Sequence, residues 1–139
     1  QVWNPSKVED VYTLEKVQKR ALRMISDLGS LHYDERLEKL GMQSLEDRRR
    51  RGDLIQCFKT MNEHGDIDPN NWFEFVQDRH DVNTRHHKAN NIVVEKCRLN
   101  LRKNFFVNRV ANDWNDLPPH VKNATSTNSF KNLYDAIHL

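Results

Sequence analysis

Apolar residues in this chain return at steps of three and four, block after block. Val11, Leu14, Val17, Ala21, Ile25 and Leu28 make one stripe, and Leu54, Ile55, Phe58 and Met61 a second. Phe106, Val110, Trp114 and Leu117 make a third, and Phe130, Leu133, Tyr134 and Ile137 a fourth. That period puts each set on one side of an α-helix, whereas a half-buried strand would alternate at every second residue. Stripes of this kind must bury against one another, so the expected fold is mainly α, a small bundle of about five helices. With 139 residues and 16.6 kDa, the expected organisation is one domain over 1–139. The mean hydropathy of −0.89 is low. Because the apolar residues are periodic rather than scattered, wholesale disorder is not expected. No apolar run approaches the roughly 20 residues that span a bilayer, and the first residues hold no signal-peptide core, so no membrane partner is expected. A chain that begins at Gln1 rather than Met reads as a fragment or a processed product.

Punctuation residues set the expected boundaries. Ser6 can cap the first helix, Glu9 and Asp10 suit its positive end, and Asp27 and Gly29 can close it. A short helix over about 33–40 stops at Gly41. Ser44 and Asp47 have capping-box spacing before a helix over 45–63, which His64-Gly65 ends. Asp68-Pro69 centres a turn, after which Trp72, Phe73, Phe75 and Val76 can anchor the chain. Residues 78–91 have no apolar period and read as an exposed basic loop. Ile92, Val93 and Val94 are β-branched, and pairing with 97–101 would make a short β-hairpin over 92–101. A helix over 102–117 is then stopped by Pro118-Pro119, and 125–128 offers caps for the last helix.

The net charge is only +2, but its distribution is uneven. Between 79 and 109 lie 8 basic side chains against 2 acidic ones, together with His80, His86 and His87. Local accumulation of positive charge is what a phosphate-binding surface requires, although a solvated basic loop has the same composition. Arg48, Arg49, Arg50 and Arg51 form a second cluster at the start of a helix. Arg98, Arg102, Lys103, Asn104, Phe105, Arg109, Asn112, Trp114 and Asn115 mix cations, amides and aromatics. Cations bind phosphates, amides bond sugars or bases, and exposed rings stack on bases. Periodicity assigns Phe106 and Trp114 to a core and leaves Phe105 off the stripe.

No P-loop, GxSxG, GxGxxG or HExxH motif occurs, so no cofactor and no small-molecule substrate are expected. Asp66, Asp68, Asp78 and Asp81 fall in loops, where nothing makes them converge on a catalytic metal. His80, His86, His87 and Cys97 have irregular spacing for zinc. Cys57 and Cys97 form neither a disulfide framework nor a CxxC pair. They read as reduced thiols of an intracellular protein, cytoplasmic or nuclear, with Cys57 buried and inert.

Four ordered blocks carry a resemblance. The first is Val2-Trp3-Asn4-Pro5 with Leu14-Glu15-Lys16-Val17-Gln18-Lys19-Arg20-Ala21 and Arg23-Met24-Ile25. The second is Tyr33-Asp34-Glu35-Arg36-Leu37 with Leu40-Gly41, and the third Ser44-Leu45-Glu46 with Arg48-Arg49 and Arg51-Gly52-Asp53-Leu54-Ile55. The fourth runs from Arg98-Leu99 and Arg102-Lys103-Asn104-Phe105-Phe106 through Arg109-Val110, Trp114-Asn115 and Leu117-Pro118 to Asn128-Ser129-Phe130-Lys131. Over nearly its whole length the chain resembles the C-terminal portion of reverse transcriptases encoded by non-LTR (LINE-type) retrotransposons, of the jockey and chicken-repeat-like clades. Two positions depart from the family pattern: Arg85-His86-His87 stands where a Gly-His pair is common, and His32 where Ser commonly precedes the second helix.

The resemblance implies a position downstream of the polymerase palm, in or beside the thumb. The family's catalytic carboxylates belong to an upstream Asp-Asp motif, and this chain contains no Asp-Asp pair. The expectation is therefore a non-catalytic accessory module of an RNA-directed DNA polymerase. Its partners would be RNA or an RNA–DNA duplex, held through phosphates, and the upstream palm and thumb of the parent protein. Arg48, Arg49, Arg51, Arg98, Arg102, Lys103 and Arg109 are the candidate ligands. The alternative is a helical protein-interaction or structural module, a domesticated retroelement fragment that binds no nucleic acid. The first reading requires guanidinium groups that form a cationic strip instead of being tied up by neighbouring carboxylates.

Overall fold

The computed structural model describes residues 4–62, 68–76 and 90–138. The described chain is mainly helical. Its α-helices are α1 (Val8–Arg23), α2 (Tyr33–Lys39), α3 (Leu45–Asn62), α4 (Asn100–Lys103), α5 (Phe106–Asp116), α6 (Pro119–Lys122) and α7 (Thr127–His138), with a 3-10 turn at Pro69–Asn71. The single domain expected from length divides into two compact units, Gln1–Gly52 and Asp53–Leu139, and the boundary falls inside α3. Most of the expected loop at 78–91 lies outside the described residues. No described helix is long and apolar enough to cross a membrane.

In the first unit, α1 starts from Lys7 rather than from a Ser6 cap, and its termini carry Glu9 and Asp10 at one end and Arg20 and Arg23 at the other. Its buried side is not the expected stripe. Gln18 and Leu22 are buried with Val11 and Leu14 partly covered, while Val17 is 67% and Ile25 42% exposed. A glutamine can sit inside because its amide is bonded: Nε2 donates to the Tyr33 hydroxyl at 3.2 Å and to the Gln43 carbonyl at 3.0 Å. The Tyr33 hydroxyl donates to Glu15. The same carboxylate accepts the Leu45 N–H at 3.1 Å at the start of α3.

Arg36, 5% exposed, donates to the Leu28, Gly29 and Leu31 carbonyls and so fixes the turn between α1 and α2. The left-handed residue of that turn is Asp27, at φ 71°, not Gly29. Gly41, at φ 59°, ends α2 in a Schellman motif, with Met42 N–H donating to Leu37 and Gly41 N–H to Glu38. At α2 the N-cap His32 N–H donates to Glu35 Oε2 at 2.7 Å, so the departure from Ser keeps the reciprocal half of a capping box. Ser44 Oγ accepts the Asp47 N–H at 3.1 Å, the capping expected before α3.

The second unit holds a continuous core. Leu54, Cys57 and Phe58 of α3 pack with Val110, Ala111 and Trp114 of α5, Val121 of α6, and Phe130 and Tyr134 of α7. Phe130 sits at its centre, stacked on Phe58 at 4.6 Å and on Trp114 at 6.1 Å between ring centroids. Pro118-Pro119 ends α5 and also starts α6, because Pro119 occupies a first-turn position where its missing N–H costs nothing.

Two expectations are corrected here. The helix over 102–117 is two helices, broken at Asn104–Phe105, where Phe105 is extended at ψ 144°. Side chains of α5 take over the end of α4: Asn108 Nδ2 donates to the Arg102 carbonyl at 2.9 Å and Arg109 Nη1 to the Asn104 carbonyl at 2.8 Å. The β-hairpin over 92–101 is absent among the described residues. Ile92 instead forms one antiparallel bridge with Phe75, flanked by Val93 N–H to the Glu74 carbonyl at 2.7 Å and Val76 N–H to the Asn91 carbonyl at 2.9 Å. Asn115 supplies what a second partner strand would give, accepting the Ile92 N–H and donating to the Ile92 carbonyl, both at 2.8 Å. Trp114 Nε1 donates to the Asn90 carbonyl at 2.8 Å, and Lys122 Nζ donates to Asn91 Oδ1 and the Asn115 carbonyl.

Candidate nucleic-acid interface

Positive charge gathers on the stretch that leads into α4. Lys96, Arg98, Arg102 and Lys103 are all exposed there, and Glu95 is the acid between 92 and 105. The stretch is built by what surrounds it. Its start is fixed by the Ile92 bridge and the Asn115 amide, and its end by the turn of α4. Within it, Glu95 Oε2 accepts from Arg102 Nη2 at 3.0 Å and Nε at 3.2 Å, and from Asn108 Nδ2 at 3.4 Å. Both charged partners are about half exposed, at 59% and 44%, so solvent screens the pair and it orients Arg102 more than it stabilises the fold.

Two concavities share the Glu95–Arg102 pair in their walls. One, of about 660 Å³, runs along Val94, Lys96, Arg98 and Leu99. The other, of about 450 Å³, has Trp72 and Phe105 in its walls together with the amides of Asn70, Asn71 and Asn108. Trp72 is 46% exposed because the chain leaves the 3-10 turn with alternating direction: Phe73, next to it, is buried against Phe106 with ring centroids 6.3 Å apart. Asp68 makes that turn by accepting the Asn70 N–H at 3.0 Å, as the Asp68-Pro69 pair led one to expect. Phe105 is 47% exposed because the break between α4 and α5 turns it away from the core, and the Arg102 guanidinium lies 6.0 Å from its ring centre.

The seven candidate ligands have different settings. Arg98, Arg102 and Lys103 are exposed on the second unit. Arg109 is a strut of the fold. Its Nε donates to the buried Asp53 carboxylate at 2.8 Å, and its side chain is only 20% exposed. Arg48, Arg49 and Arg51 belong to the first unit. Four consecutive helical residues sweep about 300° around the axis, so the run of arginines presents no single face. Arg48 is exposed, Arg51 half-buried, and Arg49 half-buried with its Nε and Nη2 out of contact with solvent and without a hydrogen-bond partner among the described residues. Lys96 and Trp72 are additions to the candidate set. Lys96 was legible as one more cation, whereas Trp72 passed as an anchor because it stands beside three apolar residues.

Among the described residues no group of three or more His, Cys, Asp or Glu side chains is placed to hold a metal ion. His80, His86 and His87, like Asp66, Asp78 and Asp81, lie outside the described residues. Cys97 is half-buried, with Asn108 Nδ2 3.3 Å from its sulfur. Cys57 is enclosed in the core, and burial, with Asp53 adding to it, pushes its thiol well above the usual range. A thiol held in the neutral form is a poor nucleophile. No protein-family model, curated protein or solved structure matches the chain.

Proposed function

We propose that this chain is a non-catalytic helical module of a retrotransposon RNA-directed DNA polymerase, and that it holds RNA or an RNA–DNA duplex by the phosphates for a separate catalytic core. The observation that carries the reading is the run of exposed Lys96, Arg98 and Lys103 beside Arg102, which is itself paired with Glu95, the one acid between 92 and 105. The four ordered sequence blocks add the retrotransposon context and, with it, an intracellular setting, cytoplasmic or nuclear. The mechanism is counterion release: each cation that docks on a phosphate frees a condensed ion, which favours binding at low salt and discriminates little between bases.

With three such contacts, from Lys96, Arg98 and Lys103, affinity should fall about 20- to 40-fold between about 50 and 200 mM salt. The test is titration of the 139-residue chain with a labelled RNA strand and an RNA–DNA duplex at those two salt concentrations. Arg98→Glu and Lys103→Glu should each weaken both complexes and flatten the salt dependence by about one unit of slope. Binding that ignores salt, or none at the lower concentration, overturns the reading.

A second reading, a helical protein-interaction module, is favoured by one observation. Val17, Met24 and Ile25 of the α1 region are 67%, 82% and 42% exposed. Under it, the charge reversals leave nucleic-acid behaviour unchanged, and a charge placed on the exposed apolar surface, Met24→Glu, abolishes the capture of a protein partner.

A further inference from the structure

We infer that the cleft walled by Trp72 and Phe105 receives an unpaired nucleobase of a single strand whose phosphates lie on the cationic stretch beside it. The inference rests on the phosphate-capture reading and adds to it a base-binding site in the second unit. Three features lead to it.

Two aromatic side chains far apart in sequence, Trp72 and Phe105, 46% and 47% exposed, line one cleft of about 450 Å³. That volume is in the range of pockets for small flat ligands, about 300–1,000 Å³. Half-exposed rings in a cleft lose part of the burial that keeps their neighbours Phe73 and Phe106 inside, and stacking on a planar partner restores it.

The polar groups around these rings suit a base rather than an aliphatic ligand. Asn70 and Asn71 carry exposed amides that can donate to and accept from a base edge, Glu74 adds a carboxylate that can accept from a base N–H, and the Asn108 amide is spent on the Arg102 carbonyl and Glu95. Arg102 is paired with Glu95 and has its guanidinium over the Phe105 ring, 6.0 Å from the ring centre, so a flat cation lies within cation–π range of that wall of the cleft.

The charge beside the cleft suits the rest of the strand. The neighbouring concavity shares Glu95 and Arg102 and adds Lys96 and Arg98, so a base in one concavity places its flanking phosphates along the other. A duplex cannot use the cleft, because its base faces are already stacked on one another. This selects a single strand, or the unpaired end of a duplex.

The test compares two strands of equal charge. One is an oligothymidylate of about twelve nucleotides, and the other an abasic strand of the same length. Trp72→Ala and Phe105→Ala should each weaken the thymidylate complex about fivefold to a hundredfold, leave the abasic complex unchanged and leave the salt slope unchanged. Arg98→Ala should weaken both complexes and lower the slope. Thymidylate should also quench fluorescence that Trp72→Leu removes, whereas the abasic strand should not, and this reading needs no alanine variant to fold. If the aromatic substitutions change nothing while Arg98→Ala weakens both complexes, the base site is overturned and phosphate capture stands. If neither strand binds at low salt, both are overturned.

Discussion

Arg109 and Asp53 sit 56 residues apart in sequence and meet at 2.8 Å, with Asp53 side chain 8% exposed. A carboxylate so deep needs its partner. Removing either one takes the opposite charge away from a largely buried group and costs about 3–5 kcal/mol, more than the pair itself contributes. Arg109→Ala and Asp53→Ala should therefore each lower the unfolding free energy by about 3 kcal/mol in urea titrations, with the double variant well short of the sum. This separates a structural arginine from an exposed one such as Arg98, the proposed phosphate ligand, whose removal should leave stability nearly untouched. Tyr33 makes the residue-scale case for pH. Burial first, and its hydrogen bond to Glu15 second, raise the phenol far above its ordinary value of 10.0. The folded state therefore keeps a proton that the unfolded chain releases above pH about 10, and stability falls as pH rises through that region. The contribution is fully present at neutral pH. Thermal melts between pH about 9 and 11 should show an alkaline loss that Tyr33→Phe diminishes, because phenylalanine has no proton to release.

At the scale of elements, the segment 90–93 shows how side chains substitute for a strand. Asn115 satisfies both backbone groups of Ile92, and Trp114 and Lys122 hold the residues just before it. Asn115→Ala leaves a buried N–H and C=O without partners, which costs about 1–3 kcal/mol per group. The amide of Ile92 should then lose hydrogen-exchange protection while amides inside α7 keep theirs. The same segment marks where the sequence stopped being readable. Four apolar stripes gave the helical class, and Gly41, Ser44 and Asp68-Pro69 gave turns and caps that act locally, within three or four residues. The pairing of Ile92 depends on residues 17 and 23 positions away, so no local pattern carried it. Likewise the break at Asn104–Phe105 follows from Asn108 and Arg109 reaching back to α4, which periodicity alone reads as one helix. Of the candidate site, the cations were visible as charge density. The aromatic cleft was not, because the exposure of Trp72 and Phe105 depends on that break and on the turn at Asp68.

For the whole molecule, the two units differ in how much they bury. The core cluster of twelve residues, from Leu54 to Tyr134, lies entirely in the second unit. Among the described residues of the first unit the buried apolar side chains are Leu22, Leu28 and Leu37, and Gln18, Glu15, Tyr33 and Arg36 add hydrogen bonds that hold it. A unit of that length, Gln1–Gly52, is in the range of about 40–65 residues where a small apolar core is marginal. The boundary falls inside α3 beside Gly52, where an added Cβ would meet no described atom within 4 Å. These facts predict an asymmetric dissection. A chain of residues 44–139 retains Ser44 to cap α3, all of α3 and the whole aromatic core, and it should melt cooperatively by circular dichroism with little loss of helix per residue. A chain of residues 1–52 should show no cooperative transition. Because Trp72, Lys96, Arg98, Arg102, Lys103 and Phe105 all belong to the longer piece, the salt-dependent strand binding proposed for the intact chain should be retained by it. Loss of cooperative melting in 44–139 would mean that the second core needs the first unit to form.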